Sequence, residues 1–335
     1  MRKLKMLMMA GASAWLTAAA PTSGYRVAES ISGPDGAGWD YAAVDPQTHR
    51  LFVAHGDAVA RFDLTKSGAY DAIGTIVHAH GVVPIPGRNL LLVTSGRDKS
   101  VRLIDSATGA ERANLAVGDD PDAAVYESES GHVFVMNAHS GSISEIDPGR
   151  MHVVRTIAAK EGLEFAAIGR GRTLYVNDEN ANEIEIVDLA AGKLKGAIPL
   201  TGCEAPTGLA FDPDYNRLIA ACANGKAAIV DAATARLVTL VDIGKGPDAV
   251  LIDAKRHVAL IPCGRDGVLE ILALDAAGVR RLSALKTEVG ARTGAIDLST
   301  GFVYLPTAAF DLPTKPGGRP TARPGTFHVV VVKPT

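Results

Sequence analysis

Seven residues recur at nearly equal distances along this 335-residue chain, and six of them carry an ionisable side chain. The steps between consecutive members are 40, 42, 42, 43, 41 and 44 residues. Four carboxylic acids, a histidine and an arginine can hold a cation, bind a polar ligand or transfer protons. Carboxylates held close together repel, so at least one pKa should rise unless a cation compensates. The seven residues, called the mouth ring below, are Asp40, His80, Asp122, Glu164, Thr207, Asp248 and Arg292.

A divalent metal ion is one possible occupant of this ring. His80, Asp122, Glu164 and His139 come from three consecutive repeats, and mixed imidazole and carboxylate ligands suit Zn, Mn or Fe. The sequence contains no HExxH, CxxC or EF-hand spacing, so the prediction rests on inferred geometry alone. A hydrated ring could equally hold a weakly bound divalent cation or none.

A second set of polar residues ends the strand that follows each ring residue. Its members are His55, Ser95, Asn137, His139, Asn177, Asp178, Asn224 and Arg265. We predict that they surround the ring and complete a ligand-binding site. The alternative is purely structural: polar residues in a water-filled channel can simply satisfy exposed backbone amides.

Several enzyme classes have no support in the sequence. It contains no CxxCH haem attachment, no glycine-rich nucleotide loop and no G-x-S-x-G nucleophile elbow. Covalent acyl transfer, nucleotide chemistry and haem electron transfer are therefore not indicated.

The elements that position these residues follow from an internal repeat. Six alternating apolar runs each end in an aspartate, and the steps between them are 42, 42, 41, 43 and 44 residues. Each repeat contains four short strands separated by turns, which is typical of a propeller blade of about 40–45 residues. The six aspartates are Asp63, Asp105, Asp147, Asp188, Asp231 and Asp275.

The number of repeats predicts an all-β, seven-bladed β-propeller of four-stranded antiparallel blades. The seventh repeat is one strand short, with strands expected near 294–298, 302–307 and 326–333. The N-terminal segment Tyr25 to Ile31 alternates polar and apolar residues and can supply the missing outer strand. Such pairing closes the ring and removes open sheet edges.

Strand order assigns every loop to one of two faces. The mouth ring and the ends of the second strands share one face, called the mouth face here. The six repeated aspartates lie on the opposite face, called the turn face, where we predict that they form Asx-type turns.

The repeats resemble the YVTN-type propeller repeats of YncE-like exported proteins. The resemblance covers Tyr25 to Lys333 and rests on matches such as Asp45-Pro46 with Arg50-Leu51-Phe52-Val53, Leu174-Tyr175-Val176-Asn177, and Asp212-Pro213 with Arg217-Leu218. It implies a seven-bladed fold but no assigned activity for most members. One member type is reported to bind single-stranded DNA, and this chain departs from it in having no basic excess.

The N-terminus predicts export. Residues 1–20 combine a basic start with an apolar run ending in small residues, as a secretory signal peptide does, and leave residues 24–335 as the propeller. We expect a periplasmic, monomeric protein without a membrane span; an uncleaved N-terminal anchor is the alternative. Lys+Arg 34 against Asp+Glu 37 gives a net charge of −3 and no general attraction to nucleic acid or anionic membranes.

Three cysteines allow one disulfide in an exported protein. Cys203 and Cys222 flank two neighbouring antiparallel strands of the fifth repeat and form the favoured pair, an arrangement also associated with a subgroup of the family. Cys222 with Cys263 remains the alternative.

The loop from Ala309 to Gly325 is unusually long, proline-rich and basic, with Lys315, Arg319 and Arg323. We predict that it emerges on the mouth face and either covers the acidic ring or stays mobile.

Three functions compete. The first is a non-catalytic periplasmic binding or scaffold propeller that recognises a small ligand or a protein partner at the channel mouth. The second is a lactonase- or hydrolase-type enzyme that uses the acidic, possibly metal-binding ring. The third, single-stranded DNA binding, is implied only by the resemblance and needs stacking aromatics near Trp39 and Tyr41.

Overall fold

The computed structural model of the protein describes residues 24–36, 38–66, 68–311 and 320–335; the predicted signal peptide of residues 1–20 lies outside them. Short runs of apolar side chains separated by turn residues form thirty strands in this part of the chain. A single 3₁₀ turn, Arg170–Arg172, lies between β14 and β15 as numbered next. In chain order the strands are β1 Tyr25–Ser32, β2 Trp39–Asp45, β3 Arg50–His55, β4 Ala58–Asp63, β5 Tyr70–Ile73, β6 Ala79–Pro84, β7 Leu90–Ser95, β8 Ser100–Asp105, β9 Glu111–Ala116, β10 Pro121–Glu127, β11 His132–Asn137, β12 Ser142–Asp147, β13 His152–Ala158, β14 Leu163–Ile168, β15 Thr173–Asp178, β16 Glu183–Asp188, β17 Lys193–Pro199, β18 Pro206–Asp212, β19 Arg217–Cys222, β20 Lys226–Asp231, β21 Arg236–Asp242, β22 Leu251–Asp253, β23 Val258–Cys263, β24 Val268–Asp275, β25 Gly278–Lys286, β26 Ala295–Asp297, β27 Phe302–Thr307, β28 Phe310–Asp311, β29 Thr321–Ala322 and β30 His328–Pro334.

The strands form seven four-stranded antiparallel sheets, which confirms the predicted seven-bladed propeller. Blades 1 to 6 are the consecutive sets β2–β5, β6–β9, β10–β13, β14–β17, β18–β21 and β22–β25. Blade 7 has the order β26-β27-β30-β1, with Tyr25 opposite Pro334 and Ser32 opposite His328. The N-terminal strand therefore closes the ring, as the missing strand of the seventh repeat predicts.

The hydrophobic core lies between the blades. Seven clusters of buried side chains each join two neighbouring blades; Phe52 of blade 1, for example, packs with Leu91 of blade 2. The second and third strands of a blade are covered on both faces and are almost continuously apolar, whereas the outer strand β9 alternates between exposed and half-buried residues. Burial of apolar area at seven interfaces thus replaces one central core.

Irregular pairing at the inner strands helps to position the mouth ring. In blades 1 to 5 the register between the first and second strands shifts immediately after the first residue of the inner strand, for example between Trp39 and Ala42 and between Pro121 and Ala124. The residue at each shift is the ring member of that blade. A β-bulge bends the strand and redirects a side chain, here towards the mouth of the channel.

The turn-face aspartates form the predicted Asx turns. In all six, one carboxylate oxygen accepts a hydrogen bond from a backbone N–H two or three residues further on, at 2.8–3.0 Å. The acceptor positions are Asp63, Asp105, Asp147, Asp188, Asp231 and Asp275. These residues therefore stabilise the turns between the third and fourth strands.

The disulfide joins Cys203 and Cys222, with their Cα atoms 5.4 Å apart, as the favoured pairing predicts. Cys263 is a buried free thiol, and burial raises its pKa, so it is not a reactive nucleophile. The disulfide is consistent with an oxidising, extracytoplasmic compartment. Within the described ranges, no helix has the length and apolar character needed to cross a membrane.

Candidate functional site

His80 lies between two carboxylates at the channel mouth. Its Nδ1 is 2.7 Å from Asp40 Oδ2 and 3.6 Å from Asp122 Oδ1, so blades 1, 2 and 3 meet at one imidazole. Burial disfavours the charged ring, but the hydrogen bond to Asp40 and the charges of Asp122 and Asp40 outweigh it and raise the pKa of His80. The imidazolium form is therefore favoured beside Asp40.

Arg292 joins the other end of the ring to blade 1. Its Nε donates a 2.7 Å hydrogen bond to Asp248 Oδ2, its Nη2 lies 3.6 Å from Asp40 Oδ1, and the same nitrogen donates to the Trp39 carbonyl at 3.4 Å. The Arg292 side chain is 46% exposed, whereas the two aspartates are each 17% exposed. A cationic group thus remains accessible from solvent above largely buried carboxylates.

Tyr41 reaches from blade 1 to blade 4 across the channel. Although it belongs to blade 1, its hydroxyl donates a 3.3 Å hydrogen bond to Glu164 Oε2 of blade 4, and its ring centroid lies 5.0 Å from that of Phe165. Only 6% of Tyr41 is exposed, and it packs into the apolar cluster between blades 3 and 4. The sequence does not show this role, because neither repeat spacing nor strand alternation tells how far a side chain reaches across the channel.

The mouth carboxyl groups are difficult to ionise. Burial, followed by the charge of Asp40, raises the pKa of Asp122 well above its usual value. Burial, followed by the charges of Asp122 and Asp248, raises the pKa of Glu164 to about 10. For Asp248 burial again dominates, but the nearby Arg292 limits the rise of its pKa to about 6. Such large upward pKa shifts in one opening are typical of functional sites, although structural networks also produce them.

The two cationic side chains of the ring contact three of its four carboxyl groups. The raised pKa values of Asp122 and Glu164 favour the neutral forms of these two acids. Asp122 Oδ1 is buried and has no hydrogen-bond partner among the described residues. A donor or cation that enters the mouth can satisfy this oxygen and make ionisation of the two protonated acids favourable.

The predicted metal-ligand set is only partly brought together. Of the side chains that the structure describes, Asp40, His80 and Asp122 each place one ligand atom within 4.8 Å of the others. Glu164 is not in this group and accepts from Tyr41 instead. His139 is 74% exposed and lies 3.3 Å from Asp120, outside the trio. A trio of one histidine and two carboxylates has suitable ligand atoms for a divalent metal. Its third member is Asp40, whereas the sequence predicts Glu164 and His139 as the further ligands.

Several residues predicted around the ring have backbone or core partners instead. Thr207 donates to the Pro247 carbonyl at 2.9 Å, Asn177 donates to the Thr207 carbonyl at 2.9 Å, and Asn137 donates to Ser144 Oγ at 3.0 Å. These contacts join or stiffen neighbouring blades.

His55 and Arg265 are also separate from the ring contacts. His55 is 5% exposed, its ring centroid lies 4.2 Å from that of Phe327, and burial lowers its pKa, so it is a neutral core residue. Arg265 is exposed on the mouth face, where its backbone N–H donates to the Lys245 carbonyl. Neither side chain therefore takes part in the hydrogen bonds and ion pairs of the ring described above.

The two ends of the long blade 7 loop form a short two-stranded sheet, which contacts Trp39, the residue next to Asp40. Phe310 and Asp311 pair with Ala322 and Thr321, and the Phe310 ring makes an edge contact with Trp39 at 6.0 Å between centroids. Arg323 donates to Asp311 at 2.6 Å. Lys315 and Arg319 lie outside the described residues, so covering of the ring by the loop stays a prediction.

A separate groove of about 210 Å³ lies on blade 1 beside the turn face. Arg61 and Asp71 form an ion pair within it, and Arg61 also donates to the Ser106 carbonyl at 2.8 Å. Since these charges already have partners and are remote from the ring, the groove is a weaker candidate site than the mouth.

No protein-family model matches the chain. No curated protein matches it either. Solved structures do resemble it: a chain of Kuenenia stuttgartiensis hydrazine synthase aligns with a TM-score of 0.71 and 17% identity over 81% of this chain and 93% of that one. A chain of the mitotic checkpoint complex aligns with a TM-score of 0.75 and 15% identity over 99% and 98%. Streptogramin B lyase aligns with a TM-score of 0.72 and 11% identity over 93% and 98%; at such identities the three likenesses show the β-propeller fold alone.

Proposed function

We propose that this protein is a non-catalytic binding propeller whose mouth ring recognises a cationic group, such as an ammonium or guanidinium, on a small molecule or a protein partner. The supporting observation is the accumulation of four carboxyl groups from four blades against the two cations His80 and Arg292. Burial and mutual repulsion keep two of these acids protonated. A ligand cation would replace those two protons.

This mechanism links binding to proton release. An entering ammonium group would reach the Asp122 carboxyl, whose buried Oδ1 lacks a partner among the described residues. Its charge would favour ionisation of Asp122 and then of Glu164, which keeps a second acceptor oxygen when Tyr41 donates to the first. The gain is electrostatic and takes place where water is partly excluded, so each contact is stronger than on an open surface.

Calorimetry with putrescine and spermidine as probes tests the proposal. We expect binding at about pH 7 that releases protons, seen as a heat that depends on the ionisation enthalpy of the buffer. Asp122→Asn should abolish this binding, whereas Asp188→Asn on the turn face should leave it unchanged. Absence of binding by both amines, or equal binding by the two variants, would contradict a cation-recognising mouth.

An enzymatic function of hydrolase or lactonase type is the second candidate, and one observation favours it. The 2.7 Å contact between His80 Nδ1 and Asp40 orients the imidazole and leaves Nε2 as the acid–base atom, as in other histidine–carboxylate pairs. Alternatively, a divalent metal held by Asp40, His80 and Asp122 would supply an activated water, and His80 would then be a ligand rather than the acid–base group. Streptogramin B lyase shares the fold, and that likeness carries no chemistry over to this chain.

Metal analysis separates the two candidates. Stoichiometric metal in the purified protein that is lost in Asp122→Asn, together with lactone hydrolysis that is lost in His80→Gln, would favour the enzyme. A metal-free protein that binds amines and hydrolyses no lactone would support the binding function.

Export to the periplasm, a monomeric state and membership of the YncE-like family are part of the same proposal. Export is supported by the predicted signal peptide and by the disulfide, and family membership by the YVTN-type repeats. Single-stranded nucleic acid binding has less support, because Trp39 packs against Phe310 and Phe327 and Tyr41 is buried, so neither ring is free to stack on a base.

A further inference from the structure

A second group of acids lies inside blade 4, apart from the mouth ring. Asp178 ends β15 and is directly opposite Glu183, the first residue of β16, while Glu185 is opposite Val176 two positions further in. Directly paired residues and those two positions away point to the same side of a sheet. The three carboxyl groups are therefore on one side of the blade, with one oxygen of each within 4.8 Å of the others.

Two of these acids are completely buried and incompletely satisfied. Asp178 is 1% exposed and Glu185 is 0% exposed. Asp178 Oδ1 accepts from Ala181 N at 2.8 Å, and Glu185 Oε1 accepts from Lys160 N at 2.9 Å. Asp178 Oδ2 and Glu185 Oε2 have no hydrogen-bond partner among the residues that the structure describes. Buried carboxylate oxygens without partners are strongly unfavourable, which indicates that a ligand completes the site.

The Lys160 ammonium group is the one cation that contacts the cluster among the described residues, and it can compensate only one negative charge. Lys160 donates from its ammonium group to Glu183 at the outer edge, where Glu183 is 13% exposed and Lys160 is 49% exposed. Were all three carboxyl groups ionised, they and this ammonium would together carry a net charge of −2. That charge is what a single divalent cation neutralises.

Blade 6 shows how the same position is satisfied by protein groups alone. Glu270 is opposite Ile261 in β23, the place that corresponds to Glu185 opposite Val176. Gly244 N donates to Glu270 Oε1 at 3.0 Å, as Lys160 N does to Glu185, and Arg281 then donates to both Glu270 oxygens at 2.6 and 2.8 Å. Among the described residues no arginine plays this role for Glu185.

We infer that blade 4 binds a divalent calcium ion through Asp178, Glu183 and Glu185. The ion takes the place in blade 4 that the Arg281 guanidinium takes in blade 6. This site is separate from the mouth ring and does not depend on the function proposed for it.

The ligand atoms determine which cation is expected. All three groups offer oxygen, and the described cluster has neither imidazole nor thiolate, so Zn²⁺ and other softer metals are disfavoured. Ca²⁺ accepts irregular sets of carboxylate oxygens and completes its shell with water, whereas Mg²⁺ demands a small octahedral site. Glu183 at the exposed edge gives the ion a route of entry.

Thermal unfolding of chelator-treated full-length protein, with CaCl₂, MgCl₂ or NaCl added at equal ionic strength, tests the inference. We expect Tm to rise with Ca²⁺ concentration and to give a dissociation constant of about 10⁻⁴–10⁻³ M, the range of extracellular calcium modules. Glu185→Gln and Asp178→Asn keep the side-chain shape and should weaken Ca²⁺ binding at least about tenfold, since each removes one ligand charge. Lys160→Gln should strengthen it, because a competing positive charge is lost.

Two matched variants show that the effect belongs to blade 4. Glu270→Gln changes the equivalent position in blade 6 and Asp122→Asn changes the mouth ring; both should keep the Ca²⁺-dependent rise in Tm. No rise in the wild-type protein, the same rise with Mg²⁺, or an unchanged rise in both Glu185→Gln and Asp178→Asn would overturn the calcium site. If Ca²⁺ does not raise the Tm of the wild-type protein, a proton shared between Asp178 and Glu185 would account for their two unpaired oxygens.

Discussion

The two faces of the propeller contain the same kind of acid in opposite electrostatic states. On the turn face the hydrogen bond from Arg112 and the N–H of Thr108 lower the pKa of Asp105 to about 2. On the mouth face burial and neighbouring carboxylates raise the pKa of Glu164 to about 10. Backbone N–H groups favour the ionised form on one face, and burial without such donors favours the neutral form on the other.

This difference separates acids that serve the fold from acids available for function. The turn-face aspartates recur because each blade needs the same turn, and their charge is already satisfied by local donors. The mouth residues differ from blade to blade, since one narrow opening collects the inner-strand ends of all the blades. Regular recurrence therefore indicates structure here, and irregularity at a recurring position indicates a site.

The largest expected effect comes from removing the arginine of the mouth ring, and removal of an arginine on the turn face is the matched control. Arg292→Gln leaves Asp248 and Asp40 without their guanidinium, so we expect the free energy of unfolding to fall by about 2–3 kcal/mol. This loss is smaller than for a fully buried pair because Arg292 is partly exposed. Arg112→Gln removes the exposed partner of Asp105 and should change stability by less than about 0.5 kcal/mol.

Urea unfolding of both variants at neutral pH measures this difference. Equal losses in the two variants would mean that the mouth is as well solvated as the turn face. In that case the contrast between the faces would not hold.

The fold was largely predictable because its repeat is long and regular. The aspartates at the ends of the third strands give the blade length, and the short seventh repeat together with Tyr25 to Ile31 predicts the closing strand. The Cys203–Cys222 pair followed from two neighbouring antiparallel strands. These features depend on local pairing, which a sequence pattern records directly.

The candidate sites were less predictable because they depend on which way side chains point between blades. Spacing places Asn137 and Asn177 beside the ring; Asn177 does donate to the carbonyl of ring residue Thr207, whereas buried Asn137 donates to Ser144 of its own blade. It gives no sign that Tyr41 reaches Glu164 across the channel. For Glu185, the absence of an arginine in the next strand becomes visible only when blades 4 and 6 are superposed by strand register.

A second effect concerns the pH dependence of stability. Glu164 has a folded-state pKa of about 10, above its ordinary value of 4.5, so the folded protein retains a proton that the unfolded chain has lost. Its contribution to the free energy of unfolding therefore falls as pH rises above 4.5. Glu164→Gln cannot ionise and still accepts from Tyr41, so the variant should have a larger free energy of unfolding than the wild type near pH 8.

The two proteins should approach equal stability near pH 4, where both side chains are neutral. Unfolding curves between these two pH values measure the difference. A variant that becomes less stable than the wild type as pH rises would mean that ionised Glu164 stabilises the mouth, contrary to its raised pKa.

The smallest effect belongs to the turn face and has the opposite sign. Folding lowers the pKa of Asp105 from 3.8 to about 2, so its stabilising contribution is present above pH 3.8 and is lost as pH falls towards 2. Asp105→Asn keeps an oxygen for the N–H groups of Ala107 and Thr108 but removes the charge that Arg112 contacts. We expect a loss below about 1 kcal/mol near pH 7 and none near pH 2, measured by urea unfolding at both values. A loss that grows on acidification would show that the carboxylate has another role, and the turn face would then also contain a site.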